Sequence, residues 1–103
     1  MSGDLTSLQR RVEQISRQYE QAFGIPPGED WIVFKLQEEL GELTQAYLAA
    51  TGRSRHRLDG VEAQAALSAE IADVLGFVLA LAERLGIDAD AALAEKWLKY
   101  EQT

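Results

Sequence analysis

The 103-residue chain has no cysteine and a single histidine, His56, and each shortage removes a class of chemistry. Without cysteine there is no disulfide framework, no thiolate metal site and no thiol nucleophile, which suits a reducing, cytoplasmic setting. One histidine in a loop segment supports neither a zinc site nor the paired Glu-x-x-His motifs of a di-iron bundle. Positive charge is scarce as well: 10 basic residues face 17 acidic ones, for a net charge of −7. That balance opposes non-specific binding to nucleic acid or to an anionic membrane, so a polyanionic ligand would need a metal ion or a local basic patch. Strand-like alternation, internal repeats and low-complexity linkers are missing too, and the first residues show no basic segment followed by an apolar run, so no signal peptide is expected.

What the chain does have is 47% hydrophobic content, enough for one small domain, with one long apolar stretch from Ala63 to Ala82. Glu70 and Asp73 are the only charged residues in that stretch. A helix apolar on every side is expected to be buried, which would place two carboxylates inside the protein. Burying an ionised carboxylate costs several kcal/mol, so such a group protonates, pairs with a cation or binds a metal. The two acidic residues also make a membrane span expensive.

The rest of the chain reads as helices around this stretch. Leu5, Leu8, Val12, Ile15, Tyr19 and Phe23 recur at steps of three and four, predicting an amphipathic helix from Asp4 to about Gln21. Gly24 and Pro26-Pro27-Gly28 break it, with Glu29 or Asp30 placed to cap a second helix from about Trp31 to Ala50. The apolar side of that helix is Trp31, Phe34, Leu36, Leu40, Leu43, Tyr47 and Ala50, and Glu38, Glu39 and Glu42 share an acidic face. Gly52 suits a C-cap, and Asp59 with Glu62 forms a capping box for the third helix, which runs to about Leu85. Asp88 is a good N-cap for a fourth helix through Leu93, Trp97 and Tyr100. The expected fold is all-α, four helices in a bundle-like arrangement over residues 1–103, and oligomeric, because three helices of this size cannot cover the third on all sides.

Two helices therefore each carry carboxylates three residues apart, Glu39 with Glu42 and Glu70 with Asp73, and neighbours at that spacing can point to one spot. Four like charges cannot converge without a counter-ion, and oxygen-only ligation with open positions suits Mg²⁺ or Mn²⁺ bound together with substrate phosphates.

The runs Glu38-Glu39-Leu40-Gly41-Glu42 and Glu70-Ile71-Ala72-Asp73-Val74-Leu75 resemble the Glu-Glu-x-x-Glu and Glu-x-x-Asp motifs of the MazG-like all-α nucleotide pyrophosphohydrolases. The resemblance covers roughly Trp31 to Lys99. It implies a MazG-type helical bundle, a homodimer or homotetramer, that uses Mg²⁺ to cleave a nucleoside triphosphate to its monophosphate and pyrophosphate, as nucleotide-pool house-cleaning. It further implies Glu39, Glu42, Glu70 and Asp73 as metal ligands, with Glu38 a second-metal ligand or an orienter of the attacking water. Lys35 either touches a phosphate or pairs with Glu39, and Lys96 matches a lysine that the family carries in its last helix. The downstream Asn and Arg of the family have no counterpart in Lys99–Thr103. Arg53, Arg55 and Arg57 either close over phosphates or form a solvated basic loop. Trp31, Trp97 and Tyr100 either stack on a base or pack in a core or interface. The alternative to an enzyme is a non-catalytic helical oligomer or nucleotide-binding regulator built on the same bundle.

Overall fold

A computed structural model describes residues 4–26, 28–53 and 59–101. Among them every regular element is helical: α1 (Asp4–Phe23), α2 (Asp30–Ala50), α3 (Gly60–Arg84), α4 (Ala89–Lys96) and a 3-10 turn at Leu98–Tyr100. The all-α expectation holds, and helix ends fall within a few residues of those read from the sequence.

The helix ends have local causes. Asp59 accepts a hydrogen bond from the backbone N–H of Glu62 at the start of α3, and Asp88 caps α4 by accepting from Asp90. At the end of α3, Gly86 has φ of +70°, and the N–H groups of Gly86 and Ile87 return to the carbonyls of Glu83 and Ala82. Gly52 closes α2 in the same way. This left-handed turn satisfies carbonyls that the helix leaves open and favours glycine. The expected last helix is shorter than its pattern, since α4 stops at Lys96 and, past its C-cap Trp97, gives way to the 3-10 turn.

α3 lies between α2 and α1, which pack chiefly on it rather than on each other. The face that α2 turns to α3 carries Ile32, Leu36, Glu39, Leu43, Ala46 and Ala50, with Ile32 fully buried. Glu39 is thus the one charged position on that face of α2. α1 departs from its pattern: its buried residues are Gln9, Glu13 and Glu20, whereas Ile15, Tyr19 and Phe23 stay largely exposed.

The cause is Arg84 in the last turn of α3. Its side chain is 4% exposed and donates to Glu13, to Glu20, to Ser16 and to the carbonyl of Gly28. Gln9 extends the seam, donating to Glu83 and to the carbonyl of Ile87 while accepting from the N–H of Ala89. Polar groups therefore dock α1, and its apolar stripe is left to the side.

α3 itself is not buried all round, contrary to its composition. Ala63, Leu79 and Ala80 are buried, while Ile71, Leu75, Val78 and Leu85 lie between 41% and 52% exposed. Among the described residues, two flanking helices cover two sides of it. By length and composition α3 is long and apolar enough to cross a membrane. The molecule is a slab of 49 × 41 × 19 Å, about two helices thick.

Candidate metal centre

The seam between α2 and α3 brings Glu39, Glu70 and Asp73 together, with one carboxylate oxygen of each within 4.8 Å of the others. Two ionised carboxylates at that separation repel by about 3 kcal/mol at an effective dielectric near 20, so the arrangement calls for positive charge. Lys35 supplies some. Its Nζ lies 3.3 Å from Glu38 Oε1 and 3.9 Å from Glu39 Oε1. Burial pulls the Lys35 ammonium down, but the hydrogen bond to Glu38 and the charges of Glu38 and Glu39 outweigh it and hold its pKa above the ordinary value.

One lysine does not satisfy three carboxylates. Glu39 Oε2 and Glu70 Oε2 are both shielded from solvent and have no hydrogen-bond partner. Glu39 is only 7% exposed. Burial first, then a hydrogen bond with Glu42 and the charges of Glu42 and Asp73, push its carboxyl from 4.5 up to about 7, against the opposing pull of Lys35. A buried acceptor without a donor costs about 1–3 kcal/mol, more when charged. Two such atoms, on two residues of one carboxylate cluster, fit a hard cation, which takes carboxylate oxygens and needs no donor from the protein.

Each expected site residue can now be placed. Glu39, Glu70 and Asp73 converge. Glu70 is half-buried, whereas Asp73 is exposed, so only one of the two α3 carboxylates is withdrawn from solvent. Glu42 stands outside the group of three, exposed, with its carboxyl against that of Glu39. Glu38 is exposed and paired with Lys35. The single acidic face expected on α2 is therefore divided, because about 100° of helical rotation separates Glu38 from Glu39 and only Glu39 turns toward α3.

No known protein family, curated protein or solved structure matches this chain.

A cleft of about 400 Å³ opens beside the cluster between α1, α2 and α3. Lys35, Glu39 and Asp73 line one part of it, Trp31, Tyr19 and Phe77 another, and Ala72, Gly76 and Ala80 give it a floor of small residues. The Tyr19 and Trp31 rings stack with centroids 5.8 Å apart, and Phe77 meets Trp31 edge-on at 6.0 Å. Lys35 is the one cation in this lining among the described residues. Arg53 lies elsewhere, beyond the end of α2, donating to Thr51 Oγ1 and stacked over Tyr47 at 5.2 Å. Lys96 is exposed at the end of α4 and is not part of the lining. Arg55, His56 and Arg57 lie outside the described residues. Trp97 and Tyr100 are 69% and 74% exposed and do not reach the cleft.

The sequence reading missed two features. Tyr19 and Phe77 were not expected beside Trp31 in a cleft wall, since pattern alone does not distinguish an aromatic lining a cavity from one filling a core. The Arg84 cluster was also missed, although it left a trace: Glu13 and Glu20 stand two turns apart on α1, with Ser16 between them.

Proposed function

We propose that this protein is a divalent-metal-dependent nucleotide pyrophosphohydrolase of MazG-like type. The observation that carries the reading is the pair of partnerless buried oxygens, Glu39 Oε2 and Glu70 Oε2, in a three-carboxylate cluster that opens on an aromatic-walled cleft. A cleft of this volume is within the usual range for a small ligand. Aromatic walls offer stacking to a nucleobase, worth about 1–3 kcal/mol per base. A chain of net charge −7 would bind a triphosphate only through a cation held at such a site.

Glu39, Glu70 and Asp73 would hold Mg²⁺ or Mn²⁺, with Glu42 beside Glu39 but outside the group of three. The bound cation supplies neutralisation of phosphate charge and Lewis acidity. Lys35 adds the one protein cation in the cleft, Trp31 and Tyr19 position the base, and the small floor leaves room for the sugar. Glu38, exposed and already paired with Lys35, tunes that lysine. Water adds across the α–β anhydride, giving the nucleoside monophosphate and pyrophosphate.

The test is pyrophosphate release from a panel of ribo- and deoxyribonucleoside triphosphates, including dUTP, with Mg²⁺, Mn²⁺ or EDTA. Release in step with the matching monophosphate is expected, lost in EDTA, lost in Glu39→Gln and reduced only modestly in Glu38→Gln. Absence of turnover, with no nucleotide-dependent thermal shift, would leave the non-catalytic helical oligomer in its place.

A further inference from the structure

Gly76 stands well inside α3, where its φ is not positive and no turn calls for it. A glycine in a helix interior weakens the helix relative to alanine, because it has more backbone freedom to lose on folding. Close packing does not account for it either. Beyond its chain neighbours and the backbone of its own helix, a Cβ at this position would meet nothing within 4 Å. What Gly76 does border is the cleft, with Ala72 and Ala80 one turn to either side. α3 thus gives up stability on the cleft wall, at a point where nothing in the fold demands it.

Small residues on a helix can also admit a second helix, and volume decides between the two. One turn of helix, about 5.4 Å long and about 10 Å across, already takes roughly 400 Å³. A cleft of about 400 Å³ therefore suits a small ligand better than a helix. Glu39 points the same way, since it lines this cleft, is 7% exposed and leaves Oε2 without a partner. The lining also limits how a base can be chosen. Apart from Lys35, Glu39 and Asp73, which serve the cation and the phosphates in the nucleotide reading, few hydrogen-bonding side chains remain among the described residues. They are the hydroxyls of Ser16 and Tyr19 and the indole N–H of Trp31, and Ser16 Oγ already accepts from Arg84. Reading a base edge takes paired, fixed donors and acceptors. Here stacking and buried area are left to rank the bases, and both grow with ring size.

Resting on the nucleotide reading above, we propose that the cleft prefers purine to pyrimidine nucleoside triphosphates, and that Gly76 is the residue that sets this preference. Its missing side chain leaves depth for the second ring of a purine. A pyrimidine leaves that depth unfilled and stacks on the aromatic wall over a smaller area.

The test uses the full chain with Mn²⁺ and the α,β-methylene analogues of dATP and dCTP, which lack the scissile anhydride, so that calorimetry reads binding without turnover. Hydrolysis of dATP and dCTP themselves is followed alongside. Gly76→Ala is compared with Gly41→Ala, because Gly41 also lies inside a helix with nothing within 4 Å of a Cβ but does not line the cleft. Wild type should bind the purine analogue about fivefold or more tighter than the pyrimidine analogue, as stacking strength dictates. Both alanine variants should melt several degrees above wild type, since each replaces a helix-interior glycine. Gly76→Ala should nonetheless lose about tenfold in affinity for the purine analogue, the usual effect of one added carbon in a fitted pocket, and change less than about threefold toward the pyrimidine. Gly41→Ala should keep the wild-type preference. Equal or tighter binding of the pyrimidine analogue by wild type, binding of neither analogue, or an unchanged preference in Gly76→Ala would each overturn the proposal. The two readings fail separately. Turnover of dATP and dCTP at like kcat/KM would remove the purine preference and leave the enzyme, whereas purine-selective binding without turnover of either would remove the enzyme and leave the preference.

Discussion

Glu39 concentrates the physics of the site in one side chain. Its carboxyl is raised from 4.5 to about 7, so the folded state binds that proton more tightly than the unfolded chain does. Stability from this group is therefore greatest below the unfolded value of 4.5 and declines as pH climbs toward 7. In EDTA, Glu39→Gln should unfold close to the wild-type temperature near about pH 5 and several degrees higher near about pH 8, a difference of order 1–3 kcal/mol. Circular-dichroism melts at both pH values check it. A variant that melts lower than wild type at the higher pH would show that the carboxylate supports the fold. Glu70→Gln should likewise leave the metal-free protein at least as stable, since Glu70 Oε2 has no donor to lose. These residues were visible in the sequence because two carboxylates in an apolar helix and two more at matched spacing demand a counter-ion. Which of Glu38, Glu39 and Glu42 faces α3 was not, because that depends on how α2 is rotated about its axis, and Ile32, Leu36 and Leu43 decide it by burying their side.

Among the elements, α1 shows where periodicity misleads. Its apolar stripe predicts a helix, and the helix forms, but the edge it packs is set by Arg84. Removing that guanidinium would leave Glu13 and Glu20 buried without their cation. Arg84→Met should cost about 3–5 kcal/mol in urea unfolding, whereas replacing Arg84, Glu13 and Glu20 together with apolar residues of similar size should recover most of the loss. Equal instability of the single and triple variants would contradict the view that uncompensated charge, and not lost packing volume, drives the effect. A long-range ion cluster of this kind is hard to read from one chain, as it joins residues more than sixty positions apart whose partners each look solvated in their own helix. Caps are easier: Asp59, Asp88, Gly52 and Gly86 act within a few residues of themselves, and their helices end where those residues stand.

At the scale of the whole molecule, α3 was expected to be buried and is covered on two sides only. The composition of a helix records every surface it meets, including those that another molecule provides, and so overstates burial within one chain. The central claim, that Glu39, Glu70 and Asp73 hold a divalent cation, is tested most directly by thermal unfolding of the full chain titrated with Mn²⁺. A ligand that binds only the folded state raises stability by RT ln(1 + [L]/Kd), about 2.7 kcal/mol at one hundred times Kd. Wild type should gain several degrees with a saturating midpoint, and Glu39→Gln and Glu70→Gln should lose that gain while Glu38→Gln keeps it. An equal response from all four proteins, or none from wild type, would contradict the account.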